Sequence, residues 1–245
     1  MLKLVVLPSA FGVRNISPFC LKCEMLLTSL GLPFEMSELA DPRKAPKGKL
    51  PFLYDGDTCI ADSELITEYL DMKTGGQVYA GMTPEQKAHG LALTRLAEEH
   101  LYWTGVASRW LDDDRWPNVV EGFFHIIPAP LRGLGAGMAR REVRKTYHLQ
   151  GLGRHSLEDQ KGFAERDLQA LEDAVPAAGF LTGDTPRIHD FAVASLMAGM
   201  MDNQPATWFT ELARRHQKLV DYTERVQAAV GIYGRYLDED AAARQ

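Results

Sequence analysis

The order of sequence patterns in the first 75 residues limits the possible folds more than any other feature. Leu2–Leu7 is an apolar run of strand length, and Ser17–Leu30 repeats its apolar residues at helical spacing after a Ser-Pro start signal. Pro33–Leu39 is a second strand candidate, and the short apolar runs on either side of Asp55-Gly56 predict a hairpin, because that dipeptide suits a two-residue turn. A further helix is predicted from Ser63. This order of elements predicts a small mixed sheet flanked by helices.

The rest of the chain shows no strand pattern. After the Thr74-Gly75-Gly76 linker, the apolar positions of about 160 residues fit the helical repeat better than alternation. We therefore predict an α+β chain with a sheet-containing domain over residues 1–75 and an all-helical domain over residues 84–240, ending in a frayed polar tail, Asp238–Gln245. The segments with helical periodicity are Glu85–Leu111, Ala139–Leu149, Leu157–Val175, Phe191–Met201 and Trp208–Val230.

Composition excludes several classes of protein. The 245 residues are 45% hydrophobic and 24% charged, which is typical of a globular protein and not of a disordered, collagen-like or coiled-coil chain. The apolar stretches are too short or too interrupted to predict a transmembrane segment, and the first is also too short for a signal peptide. Because the three cysteines are few and odd in number, we expect a reducing compartment, the cytoplasm.

Positive charge is concentrated in one segment of an otherwise acidic chain. Between Leu131 and His155 there are six basic residues and one acid, whereas the whole chain has a net charge of −6. The stretch Arg140–Lys145 is either a solvated helix face or a surface for an anionic ligand or partner. Nucleic acid is not expected, because the overall charge is negative and no recognition motif accompanies the stretch.

Two residues at the start of the first helix are candidates for thiol chemistry. Cys20-Leu21-Lys22-Cys23 has the spacing of a dithiol redox motif, but Ser17 occupies the N-cap where such a motif places its first cysteine. Cys20 is therefore either a reachable thiol with a lowered pKa or a small buried apolar residue. The Ser17 hydroxyl either caps the helix or stabilises an incoming anion such as a thiolate.

Several short motifs occur in an order and at a spacing that are specific when taken together. They are Ser17-Pro18-Phe19-Cys20-Leu21-Lys22, Lys47-Gly48-Lys49-Leu50-Pro51-Phe52, Ala61-Asp62-Ser63, Leu181-Thr182-Gly183-Asp184 and Asp190. By these motifs the chain resembles the glutathione transferase superfamily over nearly its whole length, and it is most similar to the metaxin and failed-axon-connections branch. The resemblance implies a thioredoxin-like amino-terminal domain, an all-helical domain, glutathione as co-substrate and a homodimer.

The resemblance also implies contacts for glutathione. Leu50-Pro51 resembles the family's cis-proline position, where the main chain of the preceding residue pairs with the cysteinyl amide of glutathione. Asp62 and Ser63 resemble the acidic-serine pair in which the serine and a helix N-terminus receive the γ-glutamyl carboxylate while the acid holds the ammonium group. Lys49, or Lys47, is expected to pair with the glycyl carboxylate.

The chain departs from the family pattern at two helix starts. Glutaredoxin-like members have a cysteine where this chain has Ser17. Many transferases have a catalytic tyrosine or serine near the end of the first strand, a position that both Ser9 and Ser17 fit. We favour Ser17 as the catalytic residue. In the helical domain, Arg187 stands where the family has a capping Ser or Thr. Asp190 or Thr185 must therefore compensate.

The second substrate is expected between the two domains, beside an aromatic helix. Its candidate residues are Tyr102, Trp103, Arg109 and Trp110, with Phe123-Phe124 in a following loop. An aromatic stripe at helical spacing also fits a hydrophobic core, but a cation among aromatic residues needs a partner or a ligand.

The resemblance supports a glutathione-dependent transferase that joins the glutathione thiolate to a small electrophile. Two alternatives stay open: a non-catalytic interaction protein of the same fold, and a thiol transferase or peroxidase that uses Cys20. No metal is expected, because His155 has no cysteine or acid at ligand spacing.

Overall fold

The computed structural model describes residues 1–125 and 127–237. Its amino-terminal part contains a mixed sheet in the order β2-β1-β3-β4. β1 and β2 are parallel, whereas β3 is antiparallel to both β1 and β4. The predicted order of elements is confirmed, and it gives the thioredoxin-like arrangement. The strands are β1 Leu2–Val6, β2 Phe34–Glu38, β3 Phe52–Asp55 and β4 Thr58–Ala61.

Two helices flank this sheet. α1, Pro18–Ser29, begins at the predicted Ser-Pro signal and ends before Gly31, whose φ of +63° is a left-handed conformation that glycine adopts without strain. α2, Ser63–Lys73, follows β4 directly. Nearly all side chains of α1 are buried, because this helix lies between the sheet and the helical part of the chain.

The helical part is centred on α8, which is buried along its entire length and packs against α1, α3 and α10. Asp190 holds the start of α8: its carboxylate accepts hydrogen bonds from the main-chain N–H of Arg187 and Leu181 at 2.8 Å each and from the Tyr222 hydroxyl. Asp190 thus supplies the compensation that Arg187 requires. The helices are α3 Pro84–Arg95, α4 Tyr102–Trp110, α5 Trp116–Phe124, α6 Ala129–Gln150, α7 Leu157–Ala174, α8 Ile188–Met201, α9 Trp208–Ala213 and α10 Gln217–Val230.

Two predicted helices are interrupted in the structure. The segment Glu85–Leu111 forms α3 and α4 joined by a π-helical stretch, Leu96–Leu101, which changes the direction in which its side chains point. The segment Trp208–Val230 is divided into α9 and α10 at His216, a buried residue whose Nδ1 lies 2.9 Å from the Glu172 carboxylate of α7. At His216 a buried polar contact thus overrides the apolar period.

One helix was not predicted, and another begins earlier than predicted. Phe123-Phe124, expected in a loop, form the end of α5, and α6 begins at Ala129, well before the predicted Ala139. Prolines do not prevent these two helices from forming. Pro117 and Pro130 both lie in the first turn of a helix, where a missing N–H breaks no hydrogen bond.

The sheet and the helices share one hydrophobic core, which includes residues of β1, α1, α8 and α10. Within the described residues, no helix combines the length and the apolar character that crossing a bilayer requires. The predicted polar tail, Asp238–Gln245, lies outside the described residues.

Candidate active site

The register of the sheet brings the predicted site segments to one edge. Val5 of β1 lies opposite Phe52 of β3, and Phe52 lies opposite Ala61 of β4. The end of β1, the residues before β3 and the residues after β4 are therefore neighbours. They lead, in turn, into the β1–α1 loop, the Leu50-Pro51 segment and the start of α2.

The β1–α1 loop is fastened by hydrogen bonds to both parts of the chain. The Asn15 side chain donates to the Leu7 carbonyl at 3.0 Å and accepts from the Ser17 N–H at 2.9 Å. On the helical side, the Phe11 carbonyl accepts from the Gln204 N–H at 2.7 Å. The β1–α1 loop that leads to Ser17 is therefore held by both parts of the chain.

Ser17 is the N-cap of α1, and its cap bond is long. Its hydroxyl lies 3.4 Å from the Cys20 N–H, close to the limit of a hydrogen bond. Pro18 has no N–H, and the Phe19 N–H has no hydrogen-bond partner within the described residues. The Ser17 side chain is 8% exposed. This end of α1 therefore offers one N–H and one weakly engaged hydroxyl to an anion.

The burial of the two α1 cysteines bears on the two alternatives for Cys20, a reachable thiol or a small buried apolar residue. Cys20 and Cys23 are both completely buried. Burial raises the pKa of Cys20 from 9.0 to about 12, although its contacts with the Ser17 hydroxyl and the Leu7 main chain oppose the shift. Burial also raises the pKa of Cys23. Of the two alternatives for Cys20, the structure therefore supports the small buried apolar residue, because its third helical position faces the core.

The Leu50–Pro51 peptide bond is cis, as predicted from the resemblance. The Pro51 carbonyl accepts a hydrogen bond of 3.4 Å from the Asp62 N–H, so the segment before β3 and the start of α2 are held together. Leu50 and Pro51 are buried, whereas Lys49 and Asp62 are exposed.

Asp62 has a backbone conformation that is rare for a residue with a side chain. Its φ is +105°, and its carboxylate caps α2 by accepting from the Glu64 N–H at 2.9 Å. Backbone strain of this kind occurs most often at functional sites. Since Asp62 is the cap, Ser63 is the first helical residue. The described residues leave the Ser63 hydroxyl, on a side chain only 7% exposed, without a hydrogen-bond partner.

The opposite wall of this region comes from α4. The Phe19 ring of α1 lies 4.9 Å from the Tyr102 ring, and Tyr102 lies 5.5 Å from Trp103, between ring centroids. The Lys49 Nζ lies 5.9 Å from the centre of the Trp103 ring. Lys49, a residue predicted to bind glutathione, thus contacts Trp103, a residue predicted to line the second-substrate pocket. Burial raises the pKa of Tyr102, and the described residues leave its hydroxyl without a hydrogen-bond partner.

Arg109 and Trp110 lie further along α4 against a residue that the sequence analysis missed, Phe11. The Arg109 guanidinium lies 5.1 Å from the Phe11 ring centre, and Phe11 meets Phe123, which stacks on Trp110 at 5.1 Å. Phe11 has a φ of +56°. Its ring packs against Gly122, where an added Cβ would come within 2.8 Å of the ring, so the absence of a side chain at position 122 leaves room for Phe11.

Arg109 is a buried cation without a carboxylate partner among the described residues. Its Nε donates to the Asn203 amide oxygen at 2.9 Å, and burial lowers its pKa to about 10. The four pocket candidates are thus divided into two groups. Tyr102 and Trp103 lie beside Phe19 and Lys49, whereas Arg109 and Trp110 cluster around Phe11 of the β1–α1 loop and Phe123 of α5.

A buried ion pair, also missed from the sequence, ties α1 to the helical domain. Lys22 donates to the Glu98 carboxylate at 2.6 Å, and both side chains are less than a tenth exposed, at 4% and 7%. Glu98 lies in the π-helical stretch, so the irregular turn aims it at α1. Burial raises the pKa of Glu98, and the positive charge of Lys22 opposes this rise. Within the described ranges, no group of three His, Cys, Asp or Glu side chains is placed to hold a metal ion.

Comparison with known proteins identifies relatives over most of the chain. The profile of the glutathione S-transferase N-terminal domain matches residues 18–115. The isoprene-epoxide glutathione S-transferase of Rhodococcus sp. (strain AD45) is 36% identical over 228 residues, covering 89% of this chain and 94% of that protein. Failed axon connections of Drosophila melanogaster is 30% identical over 200 residues, which are 74% of this chain and 46% of that protein.

The fold agrees with these relatives. A glutathione S-transferase from Methylobacterium radiotolerans, solved in complex with glutathione sulfonate, superimposes with a TM-score of 0.63 at 18% identity, covering 97% of this chain and 96% of that one. The resemblance predicted from the motifs is thereby confirmed, and the chain belongs to the glutathione S-transferase family.

Proposed function

We propose that this protein conjugates the thiolate of glutathione to a small electrophile at the edge where the sheet meets α4. The observation that carries the proposal is the pair of serines at the starts of α1 and α2. Ser17 offers a weakly engaged hydroxyl, and Ser63 offers one with no partner among the described residues. The proposal is supported by the similarity to an epoxide-conjugating transferase over 94% of its length.

Glutathione would be held along the edge from Lys49 to α2. In this proposal the Leu50 main chain pairs with the cysteinyl amide, and Ser63 receives the γ-glutamyl carboxylate at the N-terminus of α2. Asp62 binds the ammonium group through the carboxylate oxygen that does not cap the helix. Lys49 pairs with the glycyl carboxylate from its position over Trp103. Each charged end of the peptide then meets an opposite charge or a helix N-terminus.

The reaction requires a thiolate and little other chemistry from the protein. Lowering a thiol pKa of about 8.5 by two units requires about 2.7 kcal/mol. A hydrogen bond to a charged group contributes about 1.5–3 kcal/mol, and a helix N-terminus adds about 0.3–1 kcal/mol. Ser17 and the Phe19 N–H therefore suffice. The thiol proton goes to solvent, and sulfur attacks carbon as the carbon–oxygen or carbon–halogen bond breaks.

The electrophile would lie between the bound sulfur and α4. Its wall is formed by Tyr102 and Trp103, and the Tyr102 hydroxyl, whose pKa burial raises, is protonated at neutral pH and can donate to a developing alkoxide. Arg109 and Trp110 would border the far end. A small epoxide is the substrate class we favour, because the Rhodococcus relative is named for isoprene epoxide.

A non-catalytic interaction protein is the second candidate, since one relative, Failed axon connections, is not named as an enzyme. A thiol transferase or peroxidase centred on Cys20 is disfavoured, because burial raises the pKa of that thiol to about 12.

We include a homodimer and a cytoplasmic location in this proposal. Exposed apolar residues on both domains, Leu65 and Met72 of α2 and Leu91 of α3, would be covered if the sheet domain of one copy packed on the helical domain of another. Light scattering tests the dimer, and a monomer at all concentrations would contradict it.

Conjugation itself is the test of the proposed function. The native protein, glutathione and a small epoxide are incubated together, and the thioether is identified by its mass. We expect product formation that depends on both glutathione and enzyme. Glutathione binding without product for epoxides, aryl halides and enones would favour the interaction protein.

A further inference from the structure

Helix α6 presents large apolar side chains to solvent. Ala136 and Tyr147 are its buried residues and mark the side that faces the protein. On the opposite side, Leu131, Leu134 and Met138 are 59%, 67% and 64% exposed. Their spacing of three and four residues places them on one stripe of the helix, outside the core.

The next turns of the same helix carry free positive charge. Arg141, Arg144 and Lys145 are exposed and have no ion pair or hydrogen bond among the described residues. The other basic residues of this region are already engaged, since Arg140 pairs with Asp113 and Arg154 donates to the His148 carbonyl. We call the six exposed residues the α6 surface: Leu131, Leu134, Met138, Arg141, Arg144 and Lys145.

The α6 surface does not match a second copy of itself. A two-fold axis through the middle of the α6 surface would pair antiparallel helices and set the apolar half of one α6 against the cationic half of the other. Such a contact would bury positive charge among apolar side chains, which is costly. Pairing with the acidic remainder of another copy would be a head-to-tail contact, which does not close into a dimer.

We infer that the α6 surface binds an anionic lipid bilayer peripherally. A bilayer offers phosphate groups to Arg141, Arg144 and Lys145 and, within the same few ångströms of depth, an apolar layer to Leu131, Leu134 and Met138. One acid, Glu142, lies within the cationic stretch, and Asp113 beside α6 is paired with Arg140. This inference does not depend on the proposed glutathione chemistry.

Vesicle co-sedimentation of the full chain tests the inference. We expect binding to phosphatidylcholine vesicles that contain phosphatidylserine, weak binding to pure phosphatidylcholine, and release at high salt. Since each basic residue near an anionic surface strengthens binding about fivefold, replacing Arg141, Arg144 and Lys145 by Gln should weaken it about 100-fold.

Replacing Leu131, Leu134 and Met138 by Gln should weaken binding at least as much, because each buried apolar side chain contributes about tenfold or more. All six positions are exposed, so these variants should keep the native circular dichroism and melting temperature. As a control, Met36, exposed on β2, is changed to Gln and should leave vesicle binding unaltered.

Three outcomes would overturn the inference. The first is equal sedimentation with and without phosphatidylserine. The second is binding that survives the change of Leu131, Leu134 and Met138. The third is self-association in light scattering that those changes abolish, because it would assign the surface to another copy of the chain.

Discussion

Replacement of Ser17 by Ala separates the two functions that its hydroxyl could serve. The cap bond to the Cys20 N–H is 3.4 Å long, so we expect its loss to lower the free energy of unfolding by only about 0.5–1 kcal/mol. Losing a hydrogen bond to a thiolate costs about 1.5–3 kcal/mol, which corresponds to a rise of about one to two units in the pKa of bound glutathione. The catalytic effect should therefore exceed the structural one.

The assay is the pH dependence of kcat/KM for conjugation to a chromogenic aryl halide. The acid limb of the Ser17→Ala profile should move up by about one to two pH units, so that the rate falls about 10- to 100-fold at low pH and recovers at high pH, where the thiolate forms unaided. Ser9→Ala, an exposed serine in the same loop, is the matched control and should leave the profile in place.

A Ser17→Ala profile that superimposes on the native one would refute the role of Ser17 at the thiolate. An equal loss of rate at every pH would also refute it, because the pKa would then be unchanged. Cys20→Ala should have the smaller effect. If Cys20 were essential and Ser17 dispensable, covalent thiol chemistry would replace conjugation.

Three further predictions concern the domain junction. Gly90→Ala should lower the free energy of unfolding by about 1–3 kcal/mol in urea titrations, because the added Cβ would lie 2.2 Å from the ring of His189. As the control, Gly199→Ala should not destabilise, since its added Cβ meets nothing within 4 Å. Equal effects of the two changes would contradict the packing argument. Burial lowers the pKa of His189 from 6.5 to about 4, so unfolding takes up a proton in this range, and the free energy of unfolding should fall by about 3 kcal/mol as the pH is lowered from 6.5 to 4. His189→Asn should flatten that part of the pH profile of stability. An unaltered slope in the variant would assign the slope to other groups. Glu98→Gln should cost about 3–5 kcal/mol of unfolding free energy because it leaves the buried Lys22 ammonium without an opposite charge. The double variant Lys22→Met, Glu98→Leu should be nearly neutral. A mild effect of the single change would mean that Lys22 reaches water.

The order of elements and the start of the first helix could be predicted because their signals are local. Ser17-Pro18 marks the beginning of α1, and Asp55-Gly56 marks the β3–β4 turn. The cis bond before Pro51 was predicted from the family pattern. These features depend on a few adjacent residues, so one sequence is enough to find them.

The features that could not be predicted depend on contacts between distant segments. Phe11 lies in a loop with no periodicity, and its place beside Arg109 is fixed by the Gly122 gap on α5. Glu98 pairs with Lys22 only because a π-helical stretch interrupts an otherwise regular helix. The burial of Cys20 follows from the helical domain covering α1, which no pattern within α1 reveals.

The measurement that tests the central claim most directly is a calorimetric titration of glutathione into the native chain and into Ser63→Ala. Ser63 is nearly buried and its hydroxyl has no partner among the described residues, so the substitution should leave the fold intact and leave the γ-glutamyl carboxylate short of a donor. We expect the native chain to bind glutathione and the variant to bind it about 5- to 150-fold more weakly, which corresponds to about 1–3 kcal/mol. An unchanged Kd in the variant, or no heat from the native chain at millimolar glutathione, would contradict the proposed site.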